Sequence, residues 1–268
     1  MYWKPNPDLY PPYLRTWIRR GKGVRKGLEY LPWLRVRDVP SRGTSAQIGG
    51  LRVKRPYHLL SQLETMYFFL VERQESTVDI QECWPIFDID RTLELCATLG
   101  VRHQYRGGYP TPFTIDFLIT ESADGQLKYR AASIKTPGDA ADPDVRRRLE
   151  VEHRWCLERG IPWTLIDTSQ FGRLLLSNLL FMRTWFRHHY VPNSDTESRF
   201  LESFLRAYAR NVPLAALIEK TAKALRIPET LATDTFRYLA WTDRIPVSLK
   251  HTLSLNMPLV LRRVRNHA

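Results

Sequence analysis

The stretch FTIDFLITESADGQLKYRAASIK, Phe113 to Lys135, commits this chain to a sheet. Phe113, Ile115, Phe117 and Ile119 recur at every second position, the period of a half-buried strand. Asp124-Gly125 is a favoured two-residue hairpin loop, because both central residues of such a turn need positive φ. A second run follows and ends in Ser133-Ile134-Lys135. The turn pairs Ala123 with Gln126 and, counting back along both strands, Asp116 with Ser133 and Thr114 with Lys135. Opposed residues share a face, so Asp116, Ser133 and Lys135 are expected to project together, away from Phe113, Ile115, Phe117 and Ile119. A slip of one residue would separate Asp116 from Lys135.

A carboxylate beside a lysine on adjacent strands has two readings. One is a cross-strand ion pair on a solvent face. The other is half of a metal-dependent site for phosphodiester cleavage, in which the carboxylate holds Mg²⁺ and the lysine offsets charge on the pentavalent phosphate. The second reading needs another carboxylate. Glu64 is the leading candidate, near the start of a helix preceding the sheet. Ser61-Gln62-Leu63-Glu64 also matches the S-x-x-E capping box, in which the glutamate only bonds backbone. Both roles stay open for Glu64. Glu152, on the helix after Lys135, is a candidate for support behind the site or for a surface ion pair.

Around the hairpin the chain alternates element types. Leu60, Leu63, Tyr67 and Val71 have helical spacing over 59–74. VDIQECWPIF reads as a strand stopped by Pro85, and RTLELCATLG as a short helix ending at Gly100. Residues 143–159 open on proline and read as a helix closed by Gly160. IPWTLID is a further strand. Beyond Ser169 the candidates are helices, at 170–187, 196–209, 213–225 and 229–240, with a late strand pair around 245–260. The expected architecture is α/β, a mixed sheet flanked by helices, joined to a mainly α, winged-helix-like C-terminal domain. The expected divisions are a basic N-terminal region (1–55), a core (56–169) and the helical domain (170–268).

Charge is concentrated at one end. Residues 1–60 carry 13 Lys and Arg against 3 acids, interleaved with Trp3, Tyr10, Tyr13, Trp17, Tyr30 and Trp33. Such a segment suits a phosphate backbone, and Arg42, Lys54 and Arg55 are candidate DNA contacts. The three cysteines, Cys83, Cys96 and Cys156, form no CxxC pair, which points to a reducing compartment and away from a thiolate zinc site. The longest apolar run, LLLSNLLFM at 174–182, is too short to span a bilayer, and the first ten residues have no apolar signal core. The expectation is a cytoplasmic protein acting at the nucleoid, with no membrane partner. His188-His189 lacks a third ligand at useful spacing, and no phosphate-binding G-x-x-x-x-G-K-[ST] motif occurs.

Glu on a helix, Asp on a strand and x-Lys ending the next strand is the order of PD-(D/E)xK nucleases. More specifically, the chain resembles the TnsA endonuclease family of heteromeric cut-and-paste transposons. The blocks that carry the resemblance are YLPWLRVRDVPSRGTS (30–45), HLLSQLE (58–64), DIQECWPI (79–86), TIDFLI (114–119), ASIK (132–135), RRLEVEHRW (147–155) and GIPWTLI (160–166). The resemblance implies a restriction-endonuclease-like core with Glu64, Asp116 and Lys135 as catalytic residues. It implies Mg²⁺, replaceable by Mn²⁺, held by Glu64, Asp116 and the Ile134 backbone carbonyl. It implies double-stranded transposon-end DNA as substrate, a TnsB-like DDE transposase and a TnsC-like AAA+ ATPase as partners, and cleavage of the 5′ strands. Ser133 departs from the pattern, since the family of folds usually has Glu, Asp or Gln two residues before the lysine. That departure leaves a non-catalytic, DNA-binding scaffold as one alternative; a stand-alone restriction or repair nuclease is another. The tail around Arg262, Arg263 and Arg265 is a further candidate contact for DNA or the regulator.

Overall fold

The computed structural model describes residues 10–39 and 44–262. In chain order the helices are α1 (Pro12–Arg19), α2 (Gln62–Glu72), α3 (Ile89–Leu99), α4 (Pro137–Ala141), α5 (Pro143–Leu157), α6 (Arg173–Arg187), α7 (Ser194–Ala207), α8 (Leu214–Leu225) and α9 (Glu229–Trp241). The strands are β1 (Ala46–Gly49), β2 (Pro56–Leu59), β3 (Thr77–Ile86), β4 (Tyr105–Arg106), β5 (Tyr109–Pro110), β6 (Phe113–Ala123), β7 (Gln126–Ile134) and β8 (Trp163–Ile166). The chain divides into two compact units. One takes in the residues up to Glu72 together with Ser76–Ser169, and the other takes in Arg73–Glu75 and Gln170 onward.

The first unit is built on a four-stranded mixed sheet in the order β3-β6-β7-β8. β3, β6 and β7 are antiparallel, and β8 runs parallel to β7. The hairpin forms in the expected register, with Ala123 opposite Gln126 and Phe117 opposite Ala132. Its turn works because Asp124 and Gly125 both take positive φ, 54° and 73°. Pro85 does not stop its strand as expected. It lies inside β3, opposite Thr114, and is tolerated there because β3 is an edge of the sheet, where one side of the backbone needs no partner.

Helices cover the sheet. Trp84, Ile86, Phe113, Ile115 and Ala131 pack with Leu95 and Cys96 of α3 and with Val151, Trp155 and Cys156 of α5. Burial of this many large side chains, at roughly 25 cal/mol per Å² of apolar surface, is the main force closing the unit. α5 starts where the sequence says it should: Asp142 accepts bonds from the backbone N–H groups of Asp144 and Val145, and Pro143 occupies the first turn.

The N-terminal region is more ordered than its sequence suggests. Leu14 and Ile18 are spaced for one face of α1 and pack with Tyr10, Trp33, Cys83 and Phe87. Tyr10, Tyr30 and Trp33 are therefore core residues and not nucleic-acid contacts, because each is under 10% exposed. Their interleaving with arginines reflects an amphipathic layer laid over β3.

The second unit is helical. Phe200 and Phe204 of α7 pack with Phe236 of α9, the latter pair with ring centroids 5.2 Å apart. Asn178 of α6 is fully buried and holds the segment after α9, donating to the Leu249 and His251 carbonyls and accepting from the Leu253 N–H. The expected strand pair near the end is reduced to an isolated bridge, Val247 with Leu261, flanked by bonds from Ser248 to Val260 and from Arg262 to Pro246. Pro246 and Pro258 leave too few free N–H groups for a longer ladder.

Candidate active site

Asp116 lies where the sheet departs from regularity. Across from it on β3, between the pairs Glu82–Phe117 and Trp84–Ile115, Cys83 has a φ of 46°. A positive φ is uncommon for any residue but glycine and marks a local twist of the strand. The apolar side chains around Asp116 divide accordingly. Phe113 and Ile115 join the cluster with Trp155 of α5, whereas the Phe117 ring lies 5.6 Å from Tyr67 of α2. The expectation that Phe113, Ile115, Phe117 and Ile119 form one face is thus corrected, because the distortion at Cys83 lets consecutive odd-numbered residues serve different helical layers.

Asp116 and Lys135 nonetheless meet. Lys135 Nζ donates to Asp116 Oδ2 at 2.8 Å, and the Ile134 N–H donates to the same oxygen at 2.6 Å. Among the described residues Asp116 Oδ1 accepts no hydrogen bond. Lys135 Nζ also donates to the Ile134 carbonyl at 3.1 Å, so that carbonyl faces the same space. The lysine backbone is fixed from the far side by Thr168, whose hydroxyl donates to the Lys135 carbonyl at 2.7 Å. Both side chains keep about a quarter of their surface open to solvent, 27% for Lys135 and 21% for Asp116. The pair is reachable by a ligand without being freely hydrated.

Glu64 makes the bonds of a helix cap and also feels the charge of Asp116. Its Oε2 accepts from the Leu60 N–H at 2.8 Å and its Oε1 from the Ser61 hydroxyl at 3.0 Å, while the Glu64 N–H donates to Ser61 Oγ at 3.1 Å. This is capping-box chemistry at the start of α2. Burial, and then the negative charge of Asp116, push the Glu64 carboxyl up to about 7, with the bonds from Leu60 and Ser61 and the charge of Lys135 pulling the other way. A helix cap alone would have no carboxylate facing it.

Ser133 and Glu152 form a pair that the sequence left undecided. Ser133 is fully buried, and its hydroxyl donates to Glu152 Oε2 at 2.6 Å; the Trp163 indole N–H donates in turn to Ser133 Oγ at 3.2 Å. Glu152 is itself buried on α5, and burial followed by repulsion from Asp116 raises its carboxyl to about 7. Burial works against the Lys135 ammonium, but Asp116, Glu152 and Glu64 outweigh it and hold its pKa above the ordinary lysine value. Three carboxylates from α2, β6 and α5 therefore surround one lysine.

This donor set fits a hard divalent cation. Among the described residues no group of three or more His, Cys, Asp or Glu side chains converges closely enough to enclose a metal by itself. Two carboxylates, Glu64 and Asp116, with the Ile134 carbonyl and water suit Mg²⁺, which binds through few protein oxygens and keeps much of its hydration. Glu64 and Glu152 are raised first by burial and then by the charge of Asp116, and a cation beside them would offset both causes.

The candidate DNA contacts fare differently. Arg55 is corrected: only 3% of its side chain is exposed, and it makes a bidentate pair with Glu82 of β3, at 2.9 and 2.6 Å, and a 2.7 Å bond to the Ile80 carbonyl. A carboxylate buried on β3 cannot stay ionised without such a partner, so Arg55 is a structural residue. The Glu within the apolar DIQECWPI run was the sequence signal for it. Lys54 is exposed. Arg42 lies outside the described residues, as do Arg263 and Arg265, while Arg262 pairs with Asp243. His188 is structural, its Nδ1 bonded to Asp234 at 2.8 Å. No helix among the described residues is long and apolar enough to cross a membrane.

Comparison with known proteins meets this geometry. Residues 74–168 match the family described as "TnsA-like endonuclease N terminal", a span that includes Asp116, Ser133, Lys135 and Glu152 and begins after Glu64. The chain is also 31% identical over 176 residues to the Transposon Tn7 transposition protein TnsA of Escherichia coli, an alignment covering 66% of this chain and 64% of that relative. It thus spans somewhat less than two thirds of the relative's length. Over residues 74–168 the chain is similar to the TnsA-like endonuclease family, and its 176-residue alignment with the transposition protein extends that similarity.

Proposed function

We propose that the chain is a metal-dependent DNA endonuclease that cleaves the 5′ strands at transposon ends, working beside a DDE transposase and an AAA+ regulator. The observation that carries this reading is the 2.8 Å pair of Lys135 and Asp116 within one space shared by Glu64, Glu152 and the Ile134 carbonyl. Similarity to the family supports the endonuclease class, and the relative's name supports transposition.

In this reading Glu64, Asp116 and the Ile134 carbonyl would hold Mg²⁺, and the chemistry the ion would supply is polarisation of the scissile phosphate and acidification of a water. The chain's own residues do the rest. The Ile134 N–H and Lys135 fix Asp116 by bonds to one oxygen, leaving the other toward the ligand. Lys135, kept protonated by its carboxylates, places a positive charge where the phosphate gains negative charge. Glu152 brings a carboxylate to the place where Ser133 offers only a hydroxyl. Its presence supports the catalytic reading over a non-catalytic scaffold.

The test uses the full chain with its transposase, regulator and a donor plasmid, in Mg²⁺, with strand ends mapped separately. Asp116→Ala and Lys135→Ala are each expected to lower 5′ cleavage by about 10²-fold or more while 3′ cleavage continues and far-ultraviolet dichroism is unchanged. Undiminished 5′ cleavage in both variants would sink the reading.

A further inference from the structure

A second site stands beside the first, in the segment ahead of the matched family span. Arg35, Arg37, Gln47, Arg55 and His58 line a cavity of about 460 Å³, walled on one side by Tyr30. Among the described residues no carboxylate lines it. Three of its nitrogens, Arg35 Nε, Arg55 Nε and His58 Nδ1, are buried without a hydrogen-bond partner among the described residues. The two arginine nitrogens are donors, and leaving such groups buried and unpaired costs about 1–3 kcal/mol each.

The charges around the cavity are unequal. Glu82 balances Arg55. Among the described residues no carboxylate pairs with the Arg35 guanidinium. Among the described residues Arg37 pairs only with Asp38, 3.9 Å away, and Asp38 is held by Lys22 at 3.1 Å. Burial and then the arginines Arg35 and Arg55 lower the His58 pKa, which keeps the ring neutral with one N–H to give. The cavity offers several donors and net positive charge, and among the described residues no carboxylate. An oxyanion with several acceptor oxygens matches it, and the planar guanidinium fork suits phosphate in particular.

The cavity and the catalytic cluster hang on one stretch of backbone. Arg55 and His58 belong to the approach and body of β2, and the chain then supplies Leu60 N–H and Ser61 to Glu64. The His58 N–H bonds Glu82 at 3.0 Å, which ties this stretch to β3. A duplex presenting one phosphate to Asp116 and Lys135 carries further phosphates along the same strand at a rise of about 3.4 Å per nucleotide.

We propose that this cavity is a phosphate-binding subsite that grips the DNA backbone to one side of the scissile bond, through Arg35, Arg37 and His58. The proposal rests on the nuclease reading above and names a part of its substrate grip. It assigns sequence-independent affinity to Arg35, Arg37 and His58.

The full chain is titrated onto a fluorescent 30-base-pair duplex of arbitrary sequence at several salt concentrations, in Ca²⁺ to hold off cleavage. For Arg35→Gln/Arg37→Gln, the dissociation constant is expected to rise about tenfold, and the slope of log affinity against log salt to fall by about 1. Gln47→Glu, which places a carboxylate in the cavity at an exposed strand position, is expected to weaken binding in the same sense without removing an existing contact. Thermal melts identify any variant that has lost its fold, and Gln47→Glu decides the matter should the double variant unfold. Unchanged affinity and slope in the folded variants, with 5′ cleavage by the wild-type complex intact, overturn the subsite and leave the nuclease reading standing. A wild-type chain that neither binds duplex nor cleaves with its partners overturns both. Loss of inorganic phosphate binding in the variants with duplex binding unaltered would assign the cavity to a small anion and overturn the DNA assignment.

Discussion

Ser133 Oγ donates to Glu152 Oε2 across the gap between β7 and α5, so a hydroxyl on the strand locates a carboxylate that the strand does not itself supply. The pair explains why a small residue is compatible with the site: a longer side chain at 133 would occupy the space that Glu152 fills. Four expectations follow from this site and its support.

The first concerns Glu152 alone. Its pKa in the folded chain, about 7, lies above the ordinary glutamate value. A raised carboxyl contributes stability that is fully present below about pH 4.5 and is lost as pH rises through about 7. In metal-free protein at pH 8 the ionised Glu152 therefore costs up to about 3 kcal/mol. Glu152→Gln keeps an acceptor for Ser133 and removes that charge. Urea unfolding in chelator should show the variant gaining on the wild type between pH 5 and pH 8, and an equal difference at both values would contradict the assignment.

Metal affinity should carry the opposite pH signature. Glu64 binds a proton up to about pH 7, so below that value a cation must displace the proton before using the carboxylate. Apparent Mg²⁺ affinity, measured by calorimetry, should be about tenfold weaker at pH 6 than at pH 8. Glu64→Gln should bind more weakly and with a flatter dependence.

Arg55 and Glu82 make a prediction about folding and not about DNA. Arg55→Ala leaves Glu82 buried without its partner and should cost about 3–5 kcal/mol in denaturant unfolding. Replacing both by Arg55→Met/Glu82→Leu should recover much of that loss. A surface DNA contact would show the reverse, weak duplex binding with stability untouched.

Gly23 offers a packing test. Its φ is 68°, and a methyl group added there would lie 2.2 Å from Pro85 Cγ, on the edge strand. Gly23→Ala should lower stability by more than the roughly 1 kcal/mol of an ordinary unfavourable backbone exchange, read as a drop in melting temperature.

The hairpin, its register and the helices other than α1 and α4 were legible because each is written locally. Asp124-Gly125 sets the turn, Asp142-Pro143 starts α5, and Gly100 and Gly160, with φ of 64°, follow α3 and α5. The meeting of Asp116 with Lys135 followed from that register. What stayed hidden depends on distant partners. Nothing near Arg55 announces that Glu82 lies beside it, and nothing near Tyr30 or Trp33 separates a core aromatic from a base-stacking one. Pro85 was misread for the same reason, since only the sheet order reveals that β3 is an edge. Of the two readings of Glu64, the helix cap is visible in its bonds to the Leu60 N–H and the Ser61 hydroxyl, while the ligand reading rests on its nearness in charge to Asp116.

The left-handed residue at Cys83 has a consequence for how this sheet can evolve. An uninterrupted strand shows each layer of helices a fixed parity of side chains, and any polar residue must then displace an apolar one from a layer. At Asp116 the parity is handed from one layer to the other. The carboxylate stands in the resulting seam, where it takes the place of no core side chain. Substitutions at 116 should therefore be cheap for the fold and expensive only for the chemistry.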